Sequence, residues 1–119
     1  MAAKLKLVIE CQELDSLIRL TKSSEDLEIR CAAIRRMPFF KESEPRKFWK
    51  QMCGLAGDED PKIRYQILTT FGDETPIGFE EKVMETLEDL MCDNDFSIRN
   101  KAKQIAVKFL YSNEHDEHQ

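Results

Sequence analysis

Asp58-Glu59-Asp60-Pro61-Lys62-Ile63-Arg64 recurs twice more in the chain, as Ser24-Glu25-Asp26-Leu27-Glu28-Ile29-Arg30 and as Asp93-Asn94-Asp95-Phe96-Ser97-Ile98-Arg99. The arginines stand 34 and then 35 residues apart, each directly after an isoleucine. The agreement extends outward from this marker. Leu14, Phe48 and Val83 lie sixteen residues before their arginines, and Ile18, Met52 and Leu87 lie twelve before. Ala33, Ile67 and Ala102 follow at plus three, and Met37, Phe71 and Ala106 at plus seven. One apolar column before the marker and one after it is the pattern of two packed helices per repeat. The chain therefore reads as a short helical solenoid.

Helix signals place the elements. Leu7, Cys11, Leu14, Leu17 and Ile18 keep helical spacing with no glycine or proline between them, which predicts one helix over about Lys4 to Thr21. Asp26 is placed to cap a second helix that ends near Met37, before Pro38. Residues 39 to 44 form a connector. Pro45 suits the first turn of a third helix that turns Phe48, Trp49, Met52 and Leu55 toward the core and closes at Gly57, with Trp49 half-buried. Asp60 followed by Pro61 starts a fourth helix that reaches Phe71, and Gly72 is suited to the left-handed conformation that ends helices. After a connector at 73 to 78, a fifth helix from Phe79 to Met91 buries Val83, Leu87 and Leu90. Its face of Glu80, Glu81, Glu85, Glu88 and Asp89 is left to solvent. Asp95 caps the sixth, whose inward stripe is Ile98, Ala102, Ile105, Ala106 and Phe109.

The marker resembles the turn between the two helices of a HEAT or HEAT-like repeat, with its aspartate, frequent proline, aliphatic residue and arginine, followed by alanine. The matching residues are Asp26, Ile29, Arg30 and Ala33, then Asp60, Pro61, Ile63 and Arg64, then Asp95, Ile98, Arg99 and Ala102. Proline occurs only in the middle copy, and Ser24 stands where the other copies have Asp58 and Asp93. The resemblance implies an all-α, right-handed α-solenoid of about six antiparallel helices in three pairs. The repeats would run over 4–38, 39–72 and 73–111, making 1–111 one domain with a flexible acidic tail at 112–119. It also implies a structural ladder in which Arg30, Arg64 and Arg99 pair with Asp58 and Asp93 or with the capping Asp26, Asp60 and Asp95.

Composition limits the function. The net charge of −5 sets a mean field that repels nucleic-acid phosphate. Cys11, Cys31, Cys53 and Cys92 share no position in the repeat and form no C-x-x-C pair, so they read as reduced packing residues of an intracellular, cytoplasmic protein. No apolar run is long enough to cross a bilayer. No phosphate-binding glycine loop, nucleophile elbow or dinucleotide fingerprint is present. His115 and His118, flanked by Glu114, Asp116 and Glu117, read as an adventitious metal spacing rather than a site. The expectation is a protein without catalytic residues, metal or cofactor, an adaptor, inhibitor or assembly subunit that binds another protein or a second copy of itself, away from membranes.

Two stretches offer binding surface. Residues 35 to 50 carry Arg35, Arg36, Lys41, Arg46, Lys47 and Lys50 against Glu42 and Glu44, interleaved with Phe39, Phe40, Phe48 and Trp49. Cations beside aromatics take acidic protein segments, or single-stranded nucleic acid as the alternative reading. The second helix of each pair adds Arg35, Arg36, Lys62, Tyr65, Lys101 and Gln104 between its buried positions, lining the concave side that HEAT-like stacks present.

Overall fold

The computed structural model describes Leu5, Lys6, Val8 and residues 10 to 117, and for residues 23 and 112 to 117 it describes the backbone alone. Every regular element among these residues is helical. The helices are α1 (Leu14–Ser23), α2 (Leu27–Arg36), α3 (Pro45–Leu55), α4 (Pro61–Asp73), α5 (Glu80–Leu90) and α6 (Phe96–Glu117), with a 3₁₀ turn at Met37–Phe40. The Cα envelope measures 48 × 33 × 18 Å.

Helix starts follow local chemistry. Asp26 accepts from the Glu28 and Ile29 amides at 2.9 and 3.3 Å, Asp60 from Lys62 at 2.9 Å, and Asp95 from Ile98 at 3.1 Å. These bonds satisfy amides that have no partner inside the helix. Pro45 and Pro61 open α3 and α4, where a missing N–H costs nothing. Packing joins consecutive helices, α1 on α2, α3 on α4 and α5 on α6, and also alternate ones: α2 touches α4, α4 touches α6, and α3 touches α5. Ile29, Ala33, Ile34, Phe48, Met52, Ile63, Ile67, Leu68, Leu87 and Ala102 are excluded from solvent between them. Trp49 is fully buried rather than half-buried, with its ring centroid 4.8 Å from Phe48, 6.1 Å from Phe71 and 6.3 Å from Phe79.

The structure departs from the sequence reading at three breaks. The expected first helix is interrupted, because residues 11 to 13 leave helical geometry before α1 begins at Leu14. The break is held by side chains instead of by glycine or proline: the Cys11 thiol donates to the Glu13 carbonyl at 3.2 Å and Arg36 donates to the Cys11 carbonyl at 3.5 Å. It lets Val8 and Leu14 both reach the core. Pro38 does not turn the chain extended. Met37 stays in the right-handed helical region and the chain tightens into the 3₁₀ turn, whose early positions need no N–H from proline. Gly72 is not left-handed, since α4 continues through it to Asp73, and a Cβ there would make an ordinary contact, 3.7 Å from Cδ1 of Ile105 on α6. The left-handed glycine is Gly78, at φ 86°, just before α5.

Candidate functional site

The marker arginines organise the turns between helices. Arg64 donates from Nε and Nη2 to the two carboxylate oxygens of Asp93, at 2.7 and 3.1 Å, and from Nη1 to the Asp58 and Glu59 carbonyls at 2.8 and 2.9 Å. Arg30 grips Asp58 with both terminal nitrogens and donates from Nε to the Thr21 carbonyl at 2.7 Å. Asp58 and Asp93 each also accept a 2.9 Å bond, from the Asp60 and Asp95 amides respectively. Burial pushes both carboxyls up. Their bonds from Arg30 and Arg64 and from those amides outweigh it and hold each below the ordinary carboxylate value. In the first copy Ser24 carries no charge; its hydroxyl accepts from the Asp26 amide at 3.2 Å and donates to the Asp26 carbonyl at 3.5 Å. Arg99 donates from Nη1 to the Asp93 and Asn94 carbonyls at 2.7 and 3.0 Å, as Arg64 does one marker earlier, but no described carboxylate meets its other edge. These groups are therefore engaged with the chain's own turns.

The basic stretch of residues 35 to 50 divides. Arg35 reaches Gln66 on α4 at 3.3 Å. Arg36 lies over the Phe39 ring at 4.2 Å, and its Nε is buried without an acceptor among the described residues. Lys41 pairs with Glu74 at 2.9 Å. Lys47 bonds Asp15 at 3.0 Å and Glu44 at 3.4 Å, and the Asp15 bond holds its amine above the ordinary value. Phe40, Phe48 and Trp49 are buried, leaving Phe39 as the exposed aromatic of the stretch. Lys62, Tyr65 and Gln104 are exposed and Lys101 half-buried on α4 and α6.

Arg46 and Lys50 remain, without acceptors among the described residues, and they line a groove between α3 and α5 of about 630 Å³ as well as a shallower cleft shared with Asp15 and Glu44. The floor of the groove is apolar, made by Trp49, Gly54, Ala56, Phe79 and Leu90, and Lys82 from α5 stands on the opposite rim. Lys82 keeps only a 4.0 Å approach to Glu85, both side chains being exposed, which leaves its charge available. Asp89 is the one carboxylate on the wall. Cys53 also lines the groove, and burial pushes its thiol up, away from nucleophilic use. The sequence reading assigned the α5 face to solvated acid and passed over Lys82. Its signal was that it is the single cation in an otherwise acidic helix. A second cleft, of about 350 Å³ beneath the connector at 73 to 78, sets Asp73, Glu74 and Glu80 beside Lys108, a lining that is acidic on balance.

No family model, curated protein or solved structure matches the chain. Among the described residues, no group of histidine, cysteine or carboxylate side chains is arranged to hold a metal ion, and no helix is long and apolar enough to cross a membrane. His118 and the side chain of His115 lie outside the described residues.

Proposed function

We propose that the chain is a right-handed solenoid of three HEAT-like helical pairs acting as a non-catalytic protein-interaction module, and that the α3–α5 groove receives an acidic segment with an aromatic or aliphatic anchor. The observation that carries this reading is the convergence of Arg46, Lys50 and Lys82 around an apolar floor, in a chain whose net charge is −5. A carboxylate-bearing segment would neutralise the rim while its anchor covers the floor, the division of labour found in interface hot spots. The contacts between alternate helices, and the same Nη1 bonds at Arg64 and Arg99, support the repeat reading.

Nucleic-acid binding through residues 35 to 50 is the weaker reading. Arg35, Arg36, Lys41 and Lys47 are engaged within the chain, and Phe40 and Phe48 are buried away from any stacking base. The discriminating experiment is fluorescence anisotropy with a labelled acidic peptide carrying one central phenylalanine, and with a labelled oligothymidylate. The peptide should bind, and Arg46→Glu/Lys50→Glu/Lys82→Glu should weaken it by about tenfold or more while circular dichroism is unchanged. Equal binding by the triple variant rejects the groove. Tighter binding of the oligonucleotide with steep salt dependence rejects the protein-partner reading.

A further inference from the structure

The charge of the α3–α5 groove changes sign along its length. Two contacts tie its walls together: the Trp49 ring stacks on Phe79 at 6.3 Å, and further along both helices the Cys53 thiol lies within hydrogen-bonding reach of the Thr86 hydroxyl. Both partners advance along the chain, so α3 and α5 run in the same direction with their N-terminal ends together. Arg46, Lys50 and Lys82 line the groove toward that end. Asp89, in the last turn of α5, lines the other, seven residues or about 10 Å of helix beyond Lys82. There the groove opens into a further hollow of about 520 Å³, with which it shares Ala56, Gly57, Asp89 and Leu90. Arg30 and Arg64 take up Asp58 and Asp93 of that hollow, leaving the exposed Glu59 and Asp89 without a cation among the described residues. The helix backbones add to this field, being partly positive at their N-terminal and partly negative at their C-terminal ends. Arg46 stands in the first turn of α3 with no acid beside it, and no base accompanies Asp89 in the last turn of α5. Glu80 and Glu81, the first-turn acids of α5, lie off the groove.

We infer that the groove selects a bipolar segment, one whose acid sits among Arg46, Lys50 and Lys82, whose apolar anchor covers the floor, and whose lysine or arginine meets Asp89. This rests on the groove reading above and adds to it a specificity residue, Asp89, and a base in the partner. A segment acidic throughout would set a carboxylate against Asp89 and the negative helix ends, a like-charge contact that discriminates against it. The occupant is extended, because a short segment brings no stable helix of its own from solution. Side chains at every second position of an extended segment share one face, so acid, anchor and base span about 13 Å. That length lies between the separation of Lys82 from Asp89, about 10 Å, and the whole of the 11-residue α3, about 16 Å. Gly54, midway along the α3 wall, leaves room for the anchor, since a Cβ there would meet nothing within 4 Å.

Fluorescence anisotropy of the intact chain at low salt, with two labelled peptides, tests the inference. Both peptides carry a glutamate and then a phenylalanine at alternate positions, and the next alternate position is lysine in one and glutamate in the other. The wild type should bind the lysine peptide at least about threefold more tightly, although the glutamate peptide carries more of the charge that the cationic rim attracts. Asp89→Asn should erase most of that preference and Asp89→Lys should reverse it, both with unchanged circular dichroism, since Asp89 is exposed and its side chain has no partner among the described residues. Equal or tighter binding of the glutamate peptide by the wild type, or a preference that Asp89→Lys leaves in place, overturns the inference and leaves the groove as a plain acid-binding site. Binding of neither peptide removes the groove reading itself, and this inference with it.

Discussion

Replacing Arg64 with alanine removes four hydrogen bonds at once, two to the Asp93 carboxylate and two to the carbonyls of the preceding turn. The side chains of the pair are only 15% and 9% exposed, so the interaction belongs nearer the buried than the surface class. Surface pairs contribute about 0 to 1 kcal/mol, and breaking a fully buried one costs about 3 to 5 kcal/mol. Asp93 keeps its bond from the Asp95 amide and remains close to Arg99, which reduces the penalty of leaving it unpaired. A destabilisation of about 2 to 3 kcal/mol follows for Arg64→Ala. Unfolding entropies of about 2.1 cal/mol/K per residue give a chain of 119 residues roughly 250 cal/mol/K, so the melting temperature should fall by about 8 to 12 °C. Arg99→Ala is the matched control, because it loses the carbonyl bonds at 2.7 and 3.0 Å but no described carboxylate. It should cost about 1 kcal/mol. Calorimetry and urea unfolding measure both. An Arg64→Ala melt within about 2 °C of wild type, or an Arg99→Ala variant equally damaged, would refute the assignment of stability to the Arg64–Asp93 contact.

Further expectations follow from other features. Asp58 and Asp93 have folded values below their ordinary 3.8, so their contribution is fully present above that value and is lost as pH falls through the lower folded values. The stability gap between wild type and Arg64→Ala, measured by urea unfolding, should accordingly be constant from pH 7 to about 5 and shrink below about pH 4. Gly72→Ala should stabilise by about 0.5 to 1 kcal/mol, since Gly72 is helical and its Cβ would make an ordinary contact with Ile105; Gly78→Ala, at φ 86°, should cost about 1 kcal/mol. Calorimetry that finds the opposite order would contradict the glycine assignment. Burial raises the thiols of Cys31 and Cys53, whereas Cys92 is exposed, so alkylation at neutral pH followed by mass spectrometry should modify Cys92 well before Cys53.

What could be read in the sequence was the chemistry that acts within a few residues. Asp26, Asp60 and Asp95 cap helices because an aspartate two or three residues ahead of free amides can reach them in any fold, and proline at position 61 needs no tertiary context to start a helix. The buried Phe48, Ile67, Leu87 and Ala102 follow from periodicity for the same reason. The break before Leu14 carried no such signal, since Arg36, twenty-five residues away, closes it. The left-handed glycine is Gly78 and not Gly72 because α4 runs on through Gly72 to Asp73. The groove was the least visible feature. Arg46 and Lys50 stood inside a basic run that suggested one continuous patch, but Asp15, Gln66 and Glu74, all distant in sequence, engage Lys47, Arg35 and Lys41. Lys82 joined the two free cations only because α5 packs on α3.

The interaction-module account is tested most directly by quantitative affinity capture from native extract, run after nuclease treatment at high salt, with the wild-type chain and the Arg46→Glu/Lys50→Glu/Lys82→Glu variant side by side. The account predicts a defined protein partner retained by the wild type and lost by the folded variant, with an acidic segment that competes for the groove. Capture that is identical for the two chains, or that disappears with nuclease treatment, would contradict it.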